Sequence, residues 1–135
     1  MTEATRQQAV LHYLGHSSFL WVTPSGYRIL IDPYRNGPDL NWFVRPFPRI
    51  ECDIVVVTHP HFDHDGIGGL RGQPTVVRGA IDLRGADFRV RTIMGKHAGE
   101  YGHEFGQRNL ICVTEVASTT YCHVGDNEAD LTDEL

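Results

Sequence analysis

The chain has 135 residues, of which 41% are hydrophobic, and its formal net charge at pH 7 is -5. This size predicts a single domain over residues 1–135 and excludes a large second domain. The acidic balance argues against a nucleic-acid partner, and no apolar run approaches the roughly 18 residues that cross a membrane. Because the N-terminal segment also lacks the apolar stretch of a secretory signal, we expect a cytoplasmic protein.

The N-terminal third is predicted to be a β-meander. Strands are expected at 10–15 and 17–23, and a third at 27–33 returns after a Pro-Ser-Gly turn. The next segment, 34–50, combines prolines and bulky aromatic residues with polar ones. This composition predicts a long surface loop that suits the wall of a pocket.

The segment DIVVVT at 53–58 is apolar nearly throughout, which predicts a strand buried on both faces. A short helix with an Asp cap is expected over 63–70. Further short strands are predicted at 74–79, 80–85 and 87–93, and a closing hairpin at 109–116 and 119–125. A glycine-punctuated loop over 96–108 connects the two groups.

Four residues of types that bind metals follow the buried strand within six positions: His59, His61, Asp63 and His64. In an extended segment, residues i and i+2 face the same side, so His59 and His61 can hold one ion. The chain then turns, which directs Asp63 and His64 toward a second ion. Imidazole and carboxylate donors favour Zn²⁺, with Mn²⁺ or Fe²⁺ as alternatives. The pattern therefore predicts a site for one or two ions.

This H-x-H-x-D-H segment resembles the metallo-β-lactamase superfamily. The wider pattern is most similar to the branch that contains the ascorbate-6-phosphate lactonases and other metal-dependent hydrolases. The resemblance runs from about Val10 onward. Besides the histidine segment, the matching motifs are Gly15-His16-Ser17, Asp32-Pro33, a loop histidine at His97, Gly106-Gln107-Arg108-Asn109, His123-Val124-Gly125-Asp126 and Leu131-Thr132.

The resemblance implies an α/β (α+β) fold, a metallo-β-lactamase-like αββα sandwich of which this chain is the β-rich N-terminal portion. It also implies the metal ligands: His59, His61 and His97 for the first ion, Asp63 and His64 for the second, and Asp126 as the bridge. His103 is the alternative to His97. Under the same resemblance, His16 and Asp32 orient ligands or pack beside them, and His12 and His123 are structural.

Members of this branch continue beyond the bridging aspartate and supply a last histidine to the second metal. No such histidine follows Asp126 here. We therefore expect a chain truncated at its C-terminus, a site completed by another chain, or a weak second metal. The exposed strands that truncation leaves suit pairing into a homo-oligomer.

The expected activity is metal-dependent hydrolysis of a small molecule. Two cations lower the pKa of the water between them toward neutrality, and that water attacks a carbonyl or phosphorus centre. Asp63 and His64 are the predicted catalytic pair, with Asp63 also orienting the water. A lactone or other small ester is the first substrate class and a phosphoester the second. The alternatives are a nuclease or RNA-processing enzyme and a non-catalytic metal-binding fragment.

Overall fold

Nine strands and one turn of 3-10 helix make up the regular structure of the described residues. The computed structural model describes residues 8–37, 42–100, 106, 108–128 and 131. The strands form two sheets, as the sandwich expected from the sequence requires. The described residues include no α-helix, and none of their helical structure is long and apolar enough to cross a membrane.

The first sheet has five strands in the order of the chain. They are β1 (Val10–Gly15), β2 (Ser18–Val22), β3 (Arg28–Ile31), β4 (Ile54–Val56) and β5 (Thr75–Val77). The first three form the predicted antiparallel meander, whereas β3, β4 and β5 run parallel. Parallel strands bring their carboxyl ends to one edge of the sheet. As a result, Asp32 after β3 and Thr58 after β4 lie side by side.

The second sheet is antiparallel throughout. Its strands are β6 (Ile81–Arg84), β7 (Phe88–Lys96), β8 (Arg108–Val116) and β9 (Thr119–His123). The β7 strand continues three residues beyond the predicted end at 93 and pairs with β8 along its whole length, from Phe88 opposite Val116 to Lys96 opposite Arg108. This extension sets His97 immediately past the end of a long, well-paired strand.

The core lies between the two sheets and on the outer face of the first one. Trp21, Ile29 and Ile54 of the first sheet pack against Val90 and other apolar residues of the second. On the opposite face, side chains of segment 34–50 cover Leu30 and Val55. All three residues of β4 are fully buried, which confirms the strand predicted to be covered on both faces.

The predicted helix over 63–70 is wrong. A turn forms instead, in which His64 N–H and Asp65 N–H both donate to the His61 carbonyl at 2.9 Å. A single 3-10 turn, Ile67–Gly69, follows and has no side-chain cap. Glycine disfavours helix, and Gly66 lies so close to the backbone of Tyr34 that no Cβ would fit there. The tight approach therefore replaces a helix with a compact turn.

Candidate metal centre

The carboxyl ends of strands from both sheets deliver four donor side chains to one place. His59 and His61 follow β4, His97 follows β7, and Asp126 follows β9. One ligand atom from each of these residues lies within 4.8 Å of the others. The rings of His61 and His97 are 4.9 Å apart, centroid to centroid. The structure thus gathers the predicted first-metal residues. His103, the alternative, lies outside the described residues.

Two of the histidines are held with one nitrogen free for a ligand. The Thr58 hydroxyl donates to Asp32 at 2.7 Å, so His59 Nδ1–H is the donor in its 2.9 Å contact with Thr58 Oγ1. His97 Nδ1–H donates to the Ala98 carbonyl at 2.7 Å. The Nε2 atoms of both rings are buried and have no hydrogen-bond partner among the described residues.

Buried polar atoms are nearly always satisfied, so two unpaired imidazole nitrogens at one spot need a partner. Ligating histidines commonly donate their other ring N–H to an oxygen, as both rings do here. Burial lowers the pKa of His59 despite the nearby Asp126 carboxylate, which keeps the ring neutral and its lone pair available. These features fit a divalent cation such as Zn²⁺.

Asp126 belongs to this cluster and also faces His64, which lies in a second cluster. Its Oδ2 is 3.5 Å from the Nε2 atoms of both His59 and His97, and its Oδ1 is 3.6 Å from His64 Nε2. These separations are too long for good hydrogen bonds. The neighbouring His59 ring, with help from His64 and His97, holds the pKa of Asp126 well below its ordinary value. The side chain is therefore a carboxylate that lies between the Nε2 atoms of His59 and His97 on one side and that of His64 on the other.

The backbone around Asp126 is fixed by a buried amide. Asn109 Oδ1 accepts the Asp126 N–H at 3.1 Å, and Asn109 Nδ2 donates to the Val124 carbonyl at 2.8 Å. Gly125 has φ +56, and a Cβ there would meet Asn109 Oδ1 at 2.6 Å and Thr58 Oγ1 at 2.8 Å. Asn109 and Gly125 lie within two of the motifs that carry the family resemblance. Those motifs do not show that the two residues hold the backbone of Asp126; the contacts in the folded chain do.

A second group of donor atoms consists of His16, Asp63 and His64. Their ligand atoms also lie within 4.8 Å of one another. The rings of His59 and His64 are only 4.1 Å apart, centroid to centroid, so the two clusters adjoin. The sequence predicted that Asp63 and His64 lie together in this way. His16 was expected only to orient or pack beside such residues, whereas the structure places it among the donor atoms.

Asp32 accepts hydrogen bonds that orient residues of both clusters. It is fully buried, and its two oxygens accept four hydrogen bonds of 2.7–2.9 Å, from Thr58 N–H, the Thr58 hydroxyl, His64 Nδ1 and His123 Nε2. Burial opposes ionisation, but the bonds from His123 and His64 hold the pKa of Asp32 below its ordinary value. The carboxylate fixes the His64 proton on Nδ1, so that Nε2 faces Asp63 and Asp126.

An aromatic cavity of about 440 Å³ borders the second cluster. His16 and Tyr13 line it from the meander, and Tyr34, Trp42, Phe43 and Arg45 line it from the long loop. Phe43 lies edge-on to His16 with ring centroids 5.3 Å apart. Trp42 is 77% exposed at this rim. Tyr34 and residues 42–45 of the predicted loop therefore form a wall beside the donor residues, as the composition predicted.

Solved structures with the same chain path define the class of fold. A metallo-beta-lactamase superfamily protein from Thermotoga maritima aligns with a TM-score of 0.65 at 21% identity, over 92% of this chain and 53% of that protein. CmlA, a diiron beta-hydroxylase from Streptomyces venezuelae, aligns with a TM-score of 0.58 at 18% identity, over 93% of this chain and 31% of that protein. The chain has the metallo-beta-lactamase fold.

A family model for the beta-lactamase superfamily domain matches residues 10–135, and the chain belongs to that family. A UPF0173 metal-dependent hydrolase from Methanosphaera stadtmanae is 39% identical over 109 residues, which are 77% of this chain and 44% of the relative. Another from Herpetosiphon aurantiacus is 37% identical over 81 residues, 54% of this chain and 31% of the relative. The chain thus spans less than half the length of these curated relatives.

Proposed function

We propose that the chain carries the metal centre of a metal-dependent hydrolase. The observation that carries the proposal is the pair of buried, unpaired Nε2 atoms of His59 and His97 facing one carboxylate, that of Asp126. Such an arrangement leaves lone pairs in a buried place with nothing in the described protein to satisfy them. The relatives named as metal-dependent hydrolases support the same function.

The proposed ligands are His59, His61 and His97 for the first cation and Asp63 and His64 for the second, with Asp126 between them. Three imidazoles and a carboxylate suit Zn²⁺ best, and Mn²⁺ or Fe²⁺ is the alternative. When bound, divalent cations supply Lewis acidity that lowers the pKa of water and neutralises negative charge in the reaction.

The chain's own residues divide the remaining tasks. The side chain of Asp63 is 24% exposed, so its carboxylate can orient a water from the solvent side and accept its proton. Asp32 keeps the His64 ring from rotating, and the loop aromatics line the cavity on one side of the site. We propose a lactone or other small ester as substrate, with its apolar part against the aromatic wall, and a phosphoester as the second class.

Metal analysis and hydrolysis assays test this function together. His59→Ala and His61→Ala should each weaken metal binding at the first site at least tenfold and abolish hydrolysis of a simple lactone panel. His97→Ala should lose more metal than His103→Ala. The exposed His12 on β1 provides the control, because His12→Ala should retain metal and activity. Full metal content in the doubly substituted His59 and His61 protein would overturn the proposal.

Two assay outcomes would redirect the function while keeping the metal site. Faster cleavage of phosphodiesters or RNA than of lactones would favour the nuclease alternative, which the net charge of -5 opposes. Tight metal binding without turnover of any ester or phosphoester would favour a non-catalytic metal-binding role.

A further inference from the structure

His16 is held in an unusual backbone conformation at the turn between β1 and β2. Its φ is +50, and the preceding Gly15 has φ +109, where the β1–β2 register is also irregular. A left-handed conformation costs a non-glycine residue on the order of 1 kcal/mol and persists only where its surroundings hold it. Here the Tyr13 hydroxyl donates to the His16 carbonyl at 3.0 Å, and Phe43 packs edge-on against the ring.

This conformation directs the imidazole at the second cluster. His16 Nε2 is 2.9 Å from Asp63 Oδ2, and the same carboxylate oxygen is 3.5 Å from His64 Nε2. The rings of His16 and His64 meet edge-on at 5.4 Å between centroids. Three donor atoms from two distant parts of the chain thus converge on one small volume.

The choice of oxygen separates two roles for His16. A residue that only orients a ligating carboxylate would bind the oxygen facing away from the ion. His16 instead contacts Oδ2, the Asp63 oxygen that also lies nearest to His64 Nε2. His64 Nε2 points the same way, because the other ring nitrogen, Nδ1, is hydrogen-bonded to Asp32. The contact is therefore between atoms that would share an ion.

We infer that His16 is a ligand of the second cation, together with Asp63 and His64. This inference rests on the proposed metal centre and deepens it. With Asp126 Oδ1 at 3.6 Å from His64 Nε2, the second site has four protein donors within the described residues. Two imidazoles and two carboxylates are a suitable set for Zn²⁺ or Mn²⁺. The second site then opens beside the aromatic cavity, which His16 also lines.

The test is a calorimetric titration of metal-free protein with Zn²⁺, paired with Co²⁺ absorption spectra. Wild-type protein should bind two equivalents. His16→Ala should leave the first site within twofold of wild type and weaken the second at least tenfold, with loss of the absorption due to the second Co²⁺. His12→Ala, which removes an exposed histidine from the adjoining strand, should behave as wild type.

His16→Gln distinguishes a ligand from a residue that only positions Asp63. The glutamine amide can still donate a hydrogen bond to Asp63, but it is a poor ligand for Zn²⁺. We expect it to lose second-site affinity as fully as His16→Ala does. Wild-type affinity at the second site in either variant, or a wild-type protein that binds only one equivalent, would overturn the inference for His16.

The outcomes also separate this inference from the proposed function. If His59→Ala and His61→Ala leave both equivalents intact, the proposed metal centre fails as a whole. If those variants lose the first ion while His16→Ala keeps the second, only the role of His16 fails.

Discussion

At the scale of single residues, the candidate centre depends on which nitrogen of each histidine carries the proton. Thr58 and Ala98 accept the Nδ1–H of His59 and His97, and Asp32 accepts that of His64. Each bond leaves Nε2 as the atom that faces the neighbouring donors. These three contacts orient the histidine rings so that their Nε2 atoms face one another, and the H-x-H-x-D-H spacing alone does not reveal them.

Asp32→Asn should damage both stability and the second site. The buried carboxylate accepts four hydrogen bonds, whereas an amide offers one accepting oxygen and turns a donor toward Thr58, His64 or His123. Leaving such buried donors unsatisfied costs about 1–3 kcal/mol, which urea unfolding will measure. Second-site affinity for Zn²⁺ should fall at least tenfold, because the His64 ring loses its orienting partner.

Asp82→Asn is the matched control for that change. Asp82 also accepts two hydrogen bonds, from Arg89, but it lies exposed on β6. Solvent screens exposed pairs, so neither unfolding nor metal affinity should change measurably. Equal effects of the two substitutions would contradict the role given to Asp32.

At the scale of strands and turns, the pattern of apolar residues predicted the strands. It failed where contacts between distant parts of the chain determine the local conformation. The unbroken apolar run of β4 specified a doubly buried strand. The helix over 63–70 failed because Gly66 must approach the Tyr34 backbone and the following glycines favour a short turn. His16 was placed beside the ligands because nothing in its local motif shows that it meets Asp63, 47 positions away.

Gly125→Ala should disrupt the turn that presents Asp126. Alanine at this position would be strained because the backbone is left-handed. Its Cβ would also have to displace close atoms of Asn109 and Thr58. We expect a loss of more than about 2 kcal/mol in unfolding free energy, together with reduced metal content, because Asp126 moves with the turn.

Gly26→Ala isolates the backbone part of that effect. Its φ is +87, yet nothing lies within 4 Å of the position a Cβ would take. Only the conformational cost of about 1 kcal/mol should appear, with full metal content. Metal loss in both variants would show that the close packing around Gly125 is not what holds Asp126.

At the scale of the whole molecule, the candidate centre joins the two sheets at one edge. His59 and Asp32 follow strands of the first sheet, while His97 and Asp126 follow strands of the second. Besides the apolar core, hydrogen bonds such as those between Ser25 and Asp87 join the two sheets, and the residues of the proposed metal centre form a further contact between them. A ligand that binds only the folded arrangement stabilises it by mass action.

Zn²⁺ should therefore raise the unfolding temperature of metal-free protein. At a free concentration one hundred times the dissociation constant, the gain is about 2.7 kcal/mol, which for a chain of this size corresponds to a rise on the order of 10 °C. Differential scanning calorimetry of wild-type and variant proteins measures it. His59→Ala should abolish most of the rise, and His12→Ala should preserve it. Val90→Ala removes apolar volume from the core between the sheets and should cost about 2 kcal/mol of unfolding free energy. It should therefore lower the unfolding temperature both with and without Zn²⁺. The rise in unfolding temperature that Zn²⁺ causes should remain. A rise that survives in His59→Ala and vanishes in Val90→Ala would mean that Zn²⁺ acts elsewhere than at the edge where the two sheets meet.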